Sequence, residues 1–163
     1  GHLNCVEYLF NFGADGNYSL CVAAEHGEKD IVEFLLNKGI QDKNGEALGD
    51  AAKHGYKDII KLLLDKGSRD HQGKALIIAA ENGEVEIIEI LLEYPYMKRF
   101  IHTALIHALR NYQRDASKLL LGLIHDNFNQ FLRVAKSVGF KDIVQIINDK
   151  MKLIDAFKTN INE

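Results

Sequence analysis

Four of the 7 histidines, His26, His54, His102 and His107, together with Cys5, Cys21 and 23 carboxylates, are the side chains here that could ligate a metal or move a proton. His26 and His54 sit at equivalent places in two similar strings, AAEHG and AAKHG. Two imidazoles sharing an ion would each stand about 2.0–2.1 Å from it, whereas equivalent positions on packed helices lie roughly 8–10 Å apart. His102 and His107 are five residues apart, off the one-face spacing that a helical metal site requires. The sequence has no GxSxG, phosphate-binding loop, dinucleotide glycine fingerprint or Cys/His set at zinc spacing. Its carboxylates are scattered along the chain instead of being paired, so the reading is non-catalytic, with no cofactor and no metal. Cys5 and Cys21 lie among apolar neighbours and read as buried thiols in a reducing interior.

These residues belong to a repeating frame. AAEHGEKDIVEFLLNKG from residue 23 is written again as AAKHGYKDIIKLLLDKG from residue 51. Gly27, Gly55 and Gly83 follow at a constant step of twenty-eight, and the same step lands on Asn111 and Gly139. Gly1 matches Gly27 at twenty-six, since LNCVEYLFNFGA falls under KDIVEFLLNKGI. In the fourth unit Asn111 keeps the turn phase, while Leu105, Ala108, Asp115 and Leu119–Leu121 lag by one, so the unit carries one extra residue. Self-similarity at this period marks stacked supersecondary units, none of which can bury its apolar face alone.

Each unit resolves into two helices. Leu20, Ala23 and Ala24 recur as Leu48, Ala51, Ala52 and as Leu76, Ala79, Ala80, one stripe on a short first helix. Ile31, Val32, Leu35 and Leu36 recur as Ile59, Ile60, Leu63, Leu64 and as Ile87, Ile88, Leu91, Leu92, a wider stripe on a second helix. The turn glycines supply a positive φ between the helices, with Asn111 expected to do the same in the fourth unit. Asp30, Asp58, Glu86, Asp115 and Asp142 are placed to open the second helices near their positive ends. Lys38-Gly39, Lys66-Gly67 and Pro95 are placed to stop them. The fold class is therefore all-α, a solenoid of stacked helix-turn-helix units.

Composition narrows the partner. The chain has 163 residues, 47% apolar and 26% charged, with a formal charge of -3, and so offers no basic surplus for phosphate backbones. No apolar run reaches the ~18 residues of a membrane helix. The reading is an intracellular, cytoplasmic module with no nucleic acid and no membrane insertion, monomeric as an isolated domain. Gly1 is followed at once by an apolar run with no initiator Met, which reads as a piece of a longer polypeptide.

The string LCVAAEHGEKDIVEFLLNKG, held in one phase over several copies, resembles the ankyrin repeat, and the resemblance covers residues 1 to about 150. Ankyrin units usually start with Thr-Pro-Leu-His and carry a β-hairpin finger, about 33 residues in all. Here Tyr18-Ser19-Leu20-Cys21, Glu46-Ala47-Leu48-Gly49 and Lys74-Ala75-Leu76-Ile77 keep only the leucine, and connectors such as IQDKNGEA are too short for a full finger. The expected units are 1–15 (partial), 16–43, 44–71, 72–99, 100–126 and 127–150, with 151–163 as a capping helix or tail.

The resemblance implies a protein-binding surface along the first helices. The two positions before each turn are partner-facing in the family: Glu25-His26, Lys53-His54, Glu81-Asn82 and Arg110-Asn111 here, flanked by connector residues Asn17, Asp42, Lys43, Asp70 and His71. His26 and His54 also admit a plain reading, favouring the negative end of a helix dipole. The alternatives to partner binding are a structural spacer and a recognition domain whose catalytic part lies elsewhere. The acidic third unit (Glu81, Glu84, Glu86, Glu89, Glu93) and basic fourth unit (Lys98, Arg99, Arg110, Arg114, Lys118) read as a solvated face paired between neighbours, or as a partner footprint. YPYMKRF, residues 94–100, reads either as a binding knob or as a cover for the irregular fourth unit.

Overall fold

The computed structural model describes residues 15–161, together with positions 4 and 13. Most of the partial unit expected over 1–15, including Cys5, lies outside the described residues. Ten α-helices follow in pairs: α1 Gly16–Glu25 and α2 Lys29–Asn37, α3 Glu46–Lys53 and α4 Lys57–Asp65, α5 Lys74–Asn82 and α6 Val85–Leu92, α7 Ile101–Arg110 and α8 Arg114–Gly122, α9 Phe128–Ser137 and α10 Lys141–Ile161. A 3₁₀ helix, Pro95–Phe100, precedes α7, and no strand occurs among the described residues.

The repeated stripes make the core. Leu20, Leu48, Leu76 and Leu105 on the first helices, with Val32, Ile60, Ile88 and Leu35, Leu63, Leu91 on the second, are buried in one continuous cluster. The alanine pairs Ala51–Ala52 and Ala79–Ala80 are wholly buried, and their small side chains let α1, α3, α5 and α7 approach one another more closely than α2, α4, α6 and α8 do. This difference in spacing bends the stack so that the first helices line its hollow side.

The alanines have a second task. The N–H groups of Gly27 and Glu28 donate to the carbonyls of Ala24 and Ala23 at 3.4 and 2.9 Å, and the same pair of bonds closes α3 and α5 at Gly55–Tyr56 and Gly83–Glu84. This Schellman arrangement needs one left-handed residue, which glycine supplies at no steric cost. In the fourth unit Tyr112 takes that role with φ 61, donating to Leu109, while Asn111 has φ -93 and stays on the helical side. The expectation for Asn111 is thereby corrected. The extra residue enters before α7, in the segment that forms the 3₁₀ helix, so the turn shifts with the apolar stripe and falls on Tyr112.

The acids expected at the start of the second helices, Asp30, Asp58, Glu86, Asp115 and Asp142, all lie in first turns. They also tie units together. Lys29 Nζ is 3.6 Å from Asp58, Lys57 pairs with Glu86, and Arg114 and Lys118 reach Asp142 at 2.9 and 2.8 Å. Such exposed pairs contribute little individually, about 0–1 kcal/mol, and of the charges that made the third and fourth units look lopsided they engage Glu86, Arg114 and Lys118.

The short connectors stack directly on one another. A Cβ on Gly45 (φ +72) would lie 2.7 Å from Asp70 Cα, and one on Gly73 (φ +69) would lie 2.4 Å from the Phe100 ring. Glycine is required at both positions by backbone angle and by space.

Candidate partner-binding groove

The first helices present their outward residues in register. Glu25, Lys53, Glu81 and Arg110 occupy equivalent last-turn positions of α1, α3, α5 and α7, so the sign of charge alternates along the hollow face. One turn earlier, Cys21, Gly49, Ile77 and Ile106 form the floor. Around Gly49 the floor drops into an open hollow of about 610 Å³, lined by Tyr18, Cys21 and Glu25 from α1, Gly49 and Asp50 from α3, and Ile78 from α5. A Cβ on Gly49 would meet only Ile78 Cδ1 at 3.7 Å and Lys74 Cβ at 3.9 Å, ordinary contact distances, so packing does not demand glycine at this mid-helix position.

Carboxylates outnumber cations in the lining of the hollow, Asp15, Glu25, Glu46 and Asp50 against Lys74. Burial pushes the Asp50 carboxyl above its ordinary range, and Glu25 beside it adds to the effect. Burial, then Asp42, Asp50, Glu46 and Asp15, push the Cys21 thiol up to about 11, which makes it a poor nucleophile at neutral pH. Cys21 is a half-buried free thiol.

The histidines are held within and between units. His26 Nδ1 donates to the Val22 carbonyl at 2.9 Å, on the C-terminal turn of its own helix. His54 Nε2 stands 4.0 Å from Glu25 of the preceding unit, and its ring stacks on Tyr56 at 6.0 Å. His107 Nδ1 donates to Glu81 at 2.6 Å, and His102 pairs with Asp126 at 2.7 Å. Among the described residues no group of three or more His, Cys, Asp or Glu side chains is placed to hold a metal ion.

Eleven of the thirteen residues expected to face a partner reach the surface. His26, Lys53, His54, Asn82, Arg110 and Asn111 are exposed, Glu25 and Glu81 half-buried, and Asn17, Lys43 and His71 exposed in or beside the connectors. Asp42 and Asp70 are different, and their expected contact role is corrected. Asp42 is 7% and Asp70 0% exposed. Asp42 accepts from the N–H groups of Ala47 and Leu48 at 3.2 and 3.0 Å, and Asp70 from those of Gln72 and Ala75 at 3.1 and 2.7 Å. Both carboxylates thus serve the first turn of the helix that follows, as Asp15 does for Asn17 and Tyr18. The written signal is DKNG and DHQG, an acid three residues before a left-handed glycine and a helix start.

The 94–100 segment packs back onto the stack. Met97 is fully buried, the Tyr94 hydroxyl donates to Asp65 at 3.1 Å, and the Tyr96 hydroxyl donates to the Ser68 carbonyl at 3.2 Å. No helix among the described residues is long and apolar enough to cross a membrane.

No curated protein matches the chain significantly. The family described as ankyrin repeats, in a model of three copies, matches residues 1–73 and 48–131. That span takes in α1 to α8 and the first residues of α9, with the hairpins whose alanine-bearing first helices and leucine-bearing second helices build the stack. The chain belongs to the ankyrin repeat family.

Proposed function

We propose that this chain recognises a partner protein through the hollow face of its first helices, with Asn17, Lys43 and His71 at the connector edge. Ankyrin repeats are in general protein–protein interaction modules and are typically non-catalytic. The observation that carries the reading is a contrast within each helix. Positions that face the neighbouring hairpin hold the same residue from unit to unit, as at Leu20, Leu48 and Leu76, whereas the groove position runs Glu25, Lys53, Glu81, Arg110. A surface that only separated flanking segments would have no reason to alternate charge along a concave, partly apolar face. The binding surface supported by this contrast is a charge-patterned strip about four helices wide.

The test is a quantitative pull-down comparing the chain with a His26/Lys53/His54/Glu81 alanine variant whose helicity and melting are first matched by circular dichroism. Loss of a subset of captured proteins is expected. An unchanged set would overturn the groove assignment.

A further inference from the structure

A second cavity, of about 540 Å³, opens at the connector end of the second and third units, between Gly67–His71 and the 3₁₀ helix. Its lining includes Arg69, His71, Arg99, Tyr94, Pro95 and Tyr96, and contains no carboxylate. We propose that this cavity binds a phosphate dianion carried on a side chain of a partner.

The walls are fixed before any ligand arrives. Tyr94 is tied to Asp65 and Tyr96 to the Ser68 carbonyl, and the two rings meet edge to face with centroids 6.4 Å apart. Arg99 lies over the Phe100 ring at 4.7 Å and reaches the His71 carbonyl at 3.5 Å, so its guanidinium is oriented at little further entropic cost on binding. Of the nearby carboxylates, Asp65 accepts from the Tyr94 hydroxyl and buried Asp70 from two backbone N–H groups, while exposed Glu93 lies outside the lining and adds its charge beside Tyr94. Neither Arg69 nor Arg99 has a carboxylate partner among the described ion pairs, whereas Arg114 is paired with Asp142. Two planar guanidinium forks and an imidazole are donors suited to an oxyanion. A dianion with three terminal oxygens uses more of them than a carboxylate with two. The cavity is larger than the anion alone, and its Tyr94, Pro95 and Tyr96 wall offers apolar surface to the stem that carries it.

The experiment titrates the full chain with phenyl phosphate, O-phosphoserine, inorganic phosphate and acetate, following backbone amide shifts by NMR. Saturable shifts confined to residues 67–71 and 94–99 are expected with the two esters, at least tenfold tighter than with acetate or inorganic phosphate. They should weaken at least tenfold in Arg69→Gln and further in Arg69→Gln/Arg99→Gln. Arg69→Gln alone breaks no side-chain hydrogen bond or ion pair of the described residues, so it keeps the test open should the double variant unfold. Ester binding no tighter than inorganic phosphate would overturn the carried-phosphate assignment in favour of a site for the free ion. Absent or scattered shifts, or affinity unchanged in Arg69→Gln, would overturn the site itself.

Discussion

The Ser68 hydroxyl donates to Asp42 Oδ2 at 3.0 Å, joining two connectors that lie one unit apart. Both residues are buried, and the same carboxylate holds the N–H groups of Ala47 and Leu48. One side chain therefore starts α3 and anchors the next connector. In an ankyrin fold without long fingers, this bond and the Gly45–Asp70 contact keep successive hairpins in register.

Asp42→Ala removes the acceptor for three donors and leaves them in a site with little access to water. A loss of about 2 kcal/mol is expected, because an unsatisfied buried donor costs roughly 1–3 kcal/mol. Ser68→Ala should cost less, about 1 kcal/mol, since the backbone donors keep the carboxylate. Urea unfolding of both singles and the double variant gives the coupling. Additive losses would show that the hydroxyl and the carboxylate do not act together.

Tyr112 holds φ 61, the position that glycine occupies in the neighbouring turns. A non-glycine residue there costs about 1–2 kcal/mol. Its ring is 67% exposed and meets Phe140 only edge to face, with centroids 6.2 Å apart. Relief of backbone strain should outweigh the lost contact, so Tyr112→Gly is expected to stabilise by about 1 kcal/mol, raising the melting temperature by roughly 2–4 °C for a chain of this size. A fall in melting temperature would mean that the Phe140 contact dominates.

Tyr112 also shows where sequence legibility ends. The repeat period, both helices of each unit and the buried stripes could be read because a leucine or alanine in the wrong phase would face water. The one-residue lag of Leu105 and Ala108 was equally visible, but residue type pointed to Asn111 for the turn, and the stripe prevailed because burial outweighs local preference. The groove positions 25, 53, 81 and 110 follow from that phase only once the resemblance to the ankyrin repeat says which positions face a partner. Asp42 and Asp70 could not be separated from exposed connector acids, since their burial depends on the neighbouring connector lying directly above. The cavity beside Arg69 and Arg99 was illegible for the same reason: its walls come from segments about thirty residues apart that meet only in the stack.

Gly49 sits inside α3, where glycine is about 1 kcal/mol less favourable than alanine. An added methyl would make only ordinary contacts with Ile78 and Lys74. Gly49→Ala should therefore stabilise the fold by about 0.5–1 kcal/mol in thermal or urea unfolding. The same methyl would fill part of the hollow between Cys21 and Ile78, so a partner captured by the groove is expected to bind less tightly to this more stable variant. Improved stability with unchanged capture would place the partner away from the hollow.

Cys21 reports on the charge of that hollow. Its thiol value is moved from 9.0 to about 11, by burial first and by Asp42, Asp50, Glu46 and Asp15 after it. Because the folded value lies above the unfolded one, the neutral thiol contributes stability that is present below about pH 9 and lost as pH rises through 11. At pH 8 the thiolate fraction should be about 100-fold lower in the folded chain than in the unfolded one. Alkylation by iodoacetamide, followed against pH in a Cys5→Ser background, should show a midpoint near 11 in the native chain and near 9 in guanidinium. Asp50→Asn removes one of the charges that raise the thiol, so the native midpoint should move down. A native midpoint near 9 in the parent chain, or one unmoved by Asp50→Asn, would mean that the acids around Gly49 do not act on the groove floor.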